Sequence, residues 1–338
     1  MTSLPEIQQI EKRLRDSSGL VRSEILAYSE SDSLRFPIYK ITFGSEDPKA
    51  PVLGFTGGVH GLERIGAQVC VALMNSLAEL VTWDSTVRRT LQDIRVFFIP
   101  TVNPIGIYKK MRCNPNGVDL MRNAPVEADN PARWVGGHRF SNRMPWYRGR
   151  EGQPMEIESQ ALVDAVNKEI AHSPLAITMD VHSGFGFQDR LWFPYAKTIK
   201  PFHDLPLVYS LKQLLDRTYP HHFYSVEPQA QSYTTHGDLW DYLYDEHLRS
   251  ASPRMYLPLC LEMGSWLWVK KNPWQIFRAE GPFNPIKGHR QRRILRRHNT
   301  LMDFLIRAVA SPQAWALMDE TQKREFQEKA LEYWYGGK

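Results

Sequence analysis

His60 and Glu63 stand three residues apart in the stretch Gly57-Gly58-Val59-His60-Gly61-Leu62-Glu63. An imidazole and a carboxylate at that spacing, on a glycine-rich turn leading into a helix, can converge on one metal ion. A lone His-x-x-Glu also arises by chance in a chain of 338 residues, so the pair needs company. A catalytic zinc takes three protein ligands and keeps a position open for water. His182, in Asp180-Val181-His182-Ser183-Gly184, is the candidate third ligand. Glu262, in Leu261-Glu262-Met263-Gly264, closes another apolar run, where an idle unpaired carboxylate would be costly. A carboxylate so placed is a candidate acid–base group.

These residues share one place in the hydrophobic pattern. The runs 51–56, 94–100, 176–181 and 256–261 are continuously apolar or nearly so, as strands covered on both faces should be. The His60 turn, Thr101-Val102-Asn103, His182 and Glu262 follow or close those runs. Segment 35–43 alternates around Phe36, Ile38 and Ile41 and reads as a strand near an edge, because it contains Pro37. Helical patterns cover 62–80, which places Glu63 in a first turn, and 155–171, 205–218 and 290–309. A further helix is expected over 311–333, opening on Ser311-Pro312. Strands alternating with helices predict an α/β fold with a mixed, mostly parallel central sheet flanked by helices. In such sheets ligands bind beyond the carboxyl ends of the strands, where these residues fall. No linker or repeat divides the chain, so a single domain over 1–338 is expected.

Composition agrees with a globular chain: 42% of residues are hydrophobic and 23% charged, with 42 Lys+Arg against 37 Asp+Glu. Three scattered cysteines, Cys70, Cys113 and Cys260, are too few for a disulfide framework and suit a reducing compartment. The polar start lacks the apolar stretch of a signal peptide, and no membrane partner is expected; the expected location is cytoplasmic. The net charge of +5 is modest for nucleic-acid binding, and no binding motif accompanies it. Arginines gather at 133–150, interleaved with aromatics, and at 290–297. The first group is read as a rim favouring acidic or carboxylate-bearing substrates, the second as the solvated face of an amphipathic helix.

GGVHGLE, GVDLMRN at 117–123, MDVHSG and LCLEMG, in that order and separation over about 35–310, resemble the zinc carboxypeptidases of the carboxypeptidase A type. The resemblance implies one zinc ion per chain held by His60, Glu63 and His182, with Glu262 as general base. It implies that Arg112 stabilises the developing oxyanion and that Asp119 orients the first zinc histidine. Arg122 and Asn123 fall in the segment that grips the substrate carboxylate, and Tyr233 resembles a tyrosine that closes over bound substrate. Trp240 falls near the position that sets side-chain preference, where an aromatic argues against a deep acidic pocket; Asp238 lies beside it. Trp266, Trp268 and Trp274 are candidates for an aromatic wall or for core. One departure stands out: Met121 occupies the place of an asparagine that shares carboxylate recognition, and a thioether cannot donate a hydrogen bond.

The expected activity is therefore zinc-dependent hydrolysis of a terminal peptide or amide bond in a substrate bearing a carboxylate. An aspartoacylase-like deacylase of N-acyl amino acids shares the His-x-x-Glu and later His. Its third ligand usually comes sooner than the 119 positions that separate Glu63 from His182 here. A non-catalytic binding protein is the reading from another class.

Overall fold

The structure is a computed structural model and describes residues 3–17, 19–251 and 254–336. Eight strands form one sheet: β1 (Arg22–Ser31), β2 (Leu34–Gly44), β3 (Val52–Gly57), β4 (Arg95–Ile99), β5 (Leu175–Ser183), β6 (Arg190–Phe193), β7 (Ser225–Pro228) and β8 (Met255–Met263). Their order is β1-β2-β4-β3-β5-β8-β6-β7. The centre is parallel, β4, β3, β5 and β8 running alike, whereas β2 joins β4 and β6 joins β8 antiparallel. Every residue of β3, β4 and β5 is buried, which explains their unbroken apolar character.

Eleven α-helices are found among the described residues: α1 (Pro5–Asp16), α2 (Arg64–Trp83), α3 (Ser85–Asp93), α4 (Pro104–Lys109), α5 (Ile157–Ile170), α6 (Leu205–Thr218), α7 (Leu239–Arg249), α8 (Trp266–Lys271), α9 (Gly288–Arg297), α10 (Asn299–Ala310) and α11 (Glu320–Tyr335). α2 is long and apolar enough by composition to cross a bilayer, but most of its apolar residues are buried, and it packs against β3, β5, α9 and α10. α5 packs against β1 and β3 and meets α7. Gly66 explains how closely α2 approaches the sheet: a Cβ there would lie 2.2 Å from the carbonyl oxygen of Val181. The start of α2 is thereby held beside the residue that precedes His182.

β2 stands near the edge of the sheet as expected, with only β1 outside it, and Pro37 is tolerated because β4 pairs only with Ile41–Gly44 and does not reach it. Other expectations need correcting. Glu63 precedes α2 rather than lying in its first turn. The pattern over 290–309 is two helices, α9 and α10, broken at His298, a buried residue whose Nδ1 lies 2.9 Å from Tyr224 Oη. Ser311-Pro312 opens only a short 3-10 turn, and the last helix starts at Glu320 behind the capping box of Asp319 and Gln322. Of the polar opening segment, α1 is formed, and Met1, Thr2 and Ser18 lie outside the described residues.

Candidate metal and substrate site

The strand ends of β3, β5 and β8 meet on one rim. In the register of β5 with β8, His182 stands opposite Glu262. The turn after β3 brings His60 and Glu63 over the same point, and one donor atom each of His60, Glu63 and His182 lie within 4.8 Å of one another. All three residues are buried. Gly61 makes the turn possible: a Cβ there would lie 2.0 Å from the backbone of Gly106, and its N–H donates to the Arg112 carbonyl.

Each imidazole shows one nitrogen to Glu63 and the other to an aspartate. His60 Nδ1 lies 2.8 Å from Glu63 Oε1, and its Nε2 lies 2.9 Å from Asp119 Oδ1. His182 Nδ1 lies 3.0 Å from Glu63 Oε2, and its Nε2 lies 2.6 Å from Asp180 Oδ2. A proton on His182 Nε2, donated to Asp180, leaves a lone pair on Nδ1 facing a carboxylate oxygen. That acceptor–acceptor contact is unfavourable unless the ring takes a second proton or a cation lies between. Two histidines and one carboxylate, each imidazole backed by an aspartate, are the donor set that a zinc ion with one open position takes, and the residues fit that ion.

The electrostatics carry the same sign. Burial alone would raise Glu63, but His60 and His182 outweigh it and hold its carboxyl well below the usual range. Burial would lower His182, but Asp180 and Glu63 outweigh it and hold the ring well above its usual value. Glu262 is pushed up to about 8, first by burial and then by the charge of Glu63; its Oε1 accepts from the Phe185 N–H at 3.0 Å. In metal-free protein the Glu262 effect costs stability increasingly as pH rises above 4.5 towards 8, because the folded state then holds a proton that the unfolded state has released. His182 contributes stability that is complete below 6.5 and is lost as pH rises through its elevated value. Glu63, being depressed, stays ionised throughout that window. Metal-free protein is therefore expected to melt at a lower temperature at about pH 8.5 than at about pH 6, with zinc stabilising it more at the higher pH. Scanning calorimetry with and without zinc checks both signs, and a metal-free melting temperature that climbs with pH contradicts them.

Asp119 sits where expected and does more than face His60. Its Oδ2 accepts from Arg112 Nε at 2.8 Å, and its Oδ1 also accepts from the Met121 N–H at 3.2 Å. Arg112 is correspondingly engaged: Nη1 donates to Glu63 at 3.3 Å, and Nη2 approaches His60 Nε2 at 2.9 Å. It lines the cavity while held against the metal donors. Arg122 differs. It is 3% exposed, lines the cavity, and its guanidinium makes no hydrogen bond or ion pair among the described residues; its Nε is buried without a partner.

The cavity has a volume of about 650 Å³. His60, Glu63, His182 and Glu262 line it together with Arg112, Arg122, Met121 and Asp238, and Tyr233, Trp240, Trp192, Phe185, Trp146 and Phe283 supply an aromatic lining. The Tyr233 ring packs on Phe185 and Trp192 at centroid distances of 5.8 and 6.1 Å. Trp240 also supports the site, because its Nε1 donates to Asp180 Oδ2 at 3.0 Å.

Three expectations fail here. Asn123 does not line the cavity; its Nδ2 donates to the Arg148 carbonyl and its Oδ1 accepts from the Glu156 N–H, so it braces a loop. Of the tryptophans read as wall or core, Trp268 is core as the second reading had it, whereas Trp266 and Trp274 are exposed and fit neither; none of the three lines the cavity. The 133–150 segment lines the cavity through Val135, Pro145 and Trp146, not through its arginines. Arg148 turns inward, pairing with both oxygens of Glu127 at 2.9 Å and donating to the Val126 and Arg122 carbonyls at 2.9 and 3.3 Å. It thus clamps the backbone that carries Arg122.

Asp180 went unread in the sequence, although its signal was there: residues two apart on a strand share a face, so Asp180 accompanies His182. Asp180→Asn is expected to weaken zinc binding by about 10–100-fold, because the ring loses the acceptor that fixes its tautomer. Chelator competition measures the change, and unaltered affinity would remove Asp180 from the site.

Comparison with known proteins agrees with this geometry. The chain is 27% identical over 120 residues to carboxypeptidase SOL1 of Arabidopsis thaliana, covering 34% of this chain and 24% of that protein. It is 32% identical over 95 residues to the carboxypeptidase N catalytic chain of Rattus norvegicus, covering 24% and 21%. The matches thus span about a quarter or less of these relatives' length. The fold is that of bovine thrombin-activatable fibrinolysis inhibitor, solved in complex with tick carboxypeptidase inhibitor, with a TM-score of 0.62 and 20% identity over 93% of this chain and 97% of that one. Residues 22–266, well over half of the chain, match the zinc carboxypeptidase family, and the chain belongs to that family.

Proposed function

We propose that this chain is a zinc carboxypeptidase that removes the last residue of a peptide, working as a single catalytic domain. The observation that carries this reading is Arg122, a buried cation whose guanidinium makes no hydrogen bond or ion pair among the described residues, in the same cavity as the metal donors and Glu262. A buried arginine left unpaired is costly unless an anion completes it, and its planar fork matches a carboxylate.

His60, Glu63 and His182 would hold the ion. Zinc bound there supplies Lewis acidity, which lowers the pKa of a coordinated water and polarises the scissile carbonyl. Arg122 binds the terminal carboxylate and so sets which bond lies over Glu262. Glu262 accepts a proton from the attacking water and returns it to the leaving amine. Arg112 places a fixed positive charge beside the reacting carbonyl. The Tyr233 hydroxyl is available to the substrate backbone. Trp192, Trp240 and Phe185 give the cavity an aromatic lining suited to an apolar side chain, and Asp238 joins them with its Oδ1 committed to the first turn of α7.

The test is product analysis by mass spectrometry on a set of peptides, each also supplied with a C-terminal amide, beside a set of N-acyl amino acids. Stepwise loss of C-terminal residues from free-acid peptides supports the proposal. Hydrolysis of the N-acyl amino acids alone reverses it in favour of a deacylase. The three cysteines are all unpaired, which suits a reducing compartment, and we place the protein in the cytoplasm on that ground.

A further inference from the structure

The surface that follows Glu262 in the chain has a composition of its own. Residues 263–302 carry nine lysines and arginines against one acid, Glu280, which is itself paired to Lys110 at 3.1 Å. Within this stretch the 3-10 turn Pro273–Phe277 exposes Trp274 at 80%, Phe277 at 79% and Ile276 at 44%. In a helix of three residues per turn, positions i and i+3 eclipse, so Trp274 and Phe277 leave the backbone in the same direction. Their ring centroids are 5.9 Å apart, forming one wedge. Lys270, Lys271 and Arg278, all exposed, flank it.

α9 extends the positive charge. Arg290 donates to the carbonyls of Trp268 and Lys271, both at 3.3 Å, and fixes the start of α9 against the end of α8. Ile294 and Gln291 face inward, the latter bonded to Gln68 at 2.8 Å. His289, Arg292, Arg293 and Arg296, spaced three and four apart, form an exposed stripe.

We propose that this face docks on an anionic lipid bilayer surface. Paired aromatics at the headgroup level and a surround of lysine and arginine are the two components of interfacial attachment. No spanning segment is needed. A second copy of the chain is a poor occupant, because a two-fold contact would press two positive faces together. A single-stranded nucleic acid would need separated ring faces for successive bases, whereas these two rings pack on each other. The face adjoins the cavity: Trp266 Nε1 donates to the Gly184 carbonyl at 3.1 Å, and Gly184 and Phe283 line the cavity. Docking would therefore set the cavity mouth beside the membrane. The inference does not depend on the hydrolytic reading.

The test is vesicle flotation with the full chain, using phosphatidylcholine alone and phosphatidylcholine with phosphatidylglycerol. Binding is expected only to the anionic vesicles. The doubly substituted Trp274→Ala/Phe277→Ala protein should lose about tenfold in partitioning, since attachment scales with buried apolar area. Arg292→Glu/Arg296→Glu should lose about 25-fold or more, each cation near such a surface being worth about fivefold. Circular dichroism and soluble-peptide hydrolysis should stay unchanged in both. Absence of binding to anionic vesicles, or binding that either variant leaves intact, overturns the proposal. So does tighter binding to single-stranded RNA than to vesicles at equal salt, or a dimer that Trp274→Ala dissociates.

Discussion

Glu262→Gln is expected to lower kcat/KM by about 10²–10⁴-fold while zinc stoichiometry and folding stay unchanged. The register opposite His182 sets the Glu262 carboxylate next to the metal donors, and the Phe185 N–H holds one of its oxygens. Glutamine keeps that oxygen and its hydrogen bond, so the strand end should not move. What is lost is the capacity to take up a proton and give it back. Burial and the charge of Glu63 push Glu262 up to about 8, while a divalent cation at the donors draws it down again. The acid limb of the rate profile should thus lie below 8 with zinc bound and disappear in the variant. Glu262→Asp should fall between the two, because retracting the carboxylate by about one bond misplaces it enough to cost about 10²-fold. Activity of Glu262→Gln within tenfold of the unaltered chain would assign the proton transfer to another group. Loss of zinc in the variant would instead make Glu262 part of the metal site. Steady-state rates and metal analysis on the same preparation separate these outcomes.

The parts of this site that can be read from sequence are those written in local spacing. His60 and Glu63 are three apart on one turn, and His182 and Glu262 close apolar strands, so their convergence follows from the α/β rule that strand ends share a rim. The parts that cannot be read depend on distant partners. Trp240 reads as a pocket residue, yet its indole also secures Asp180, sixty positions away. The arginines of 133–150 read as a charged rim, yet Arg148 is buried because Glu127 and the Val126 carbonyl are there to receive it. The break between α9 and α10 has no glycine or proline to announce it and coincides with the buried polar contact of His298 to Tyr224. β6 and β7, four residues each, are too short for any periodicity. Asp319-x-x-Gln322 did announce the last helix, but the Ser-Pro pair before it offered a stronger-looking start.

Arg122→Met is expected to cut kcat/KM on free-acid peptides by about 10²–10³-fold and to leave the rate on the matching C-terminal amides nearly unchanged. Removing one partner of a buried charged hydrogen-bonded pair costs about 2–5 kcal/mol, and that loss applies only to substrates that carry the other partner. The unaltered chain should accordingly prefer the acid over the amide, and the variant should lose that preference. An equal loss on both substrates would mean that Arg122 holds the cavity together rather than reading the carboxylate. Met121 refines the experiment. It is 5% exposed and lines the cavity beside Arg122, yet offers no donor to the carboxylate. Met121→Asn would add an amide donor there, and one further hydrogen bond to a charged group is worth about 1.5 kcal/mol, or about tenfold in KM. That gain should appear with the acid and not with the amide, and it should require Arg122. If Met121→Asn improves neither substrate, the carboxylate does not lie between these two residues, and Arg122 must engage it from another direction. If it improves both equally, the asparagine contacts the peptide backbone instead. Paired acid and amide kinetics on the two single variants and the double variant decide among these, because only carboxylate recognition makes the effects both non-additive and specific to the acid.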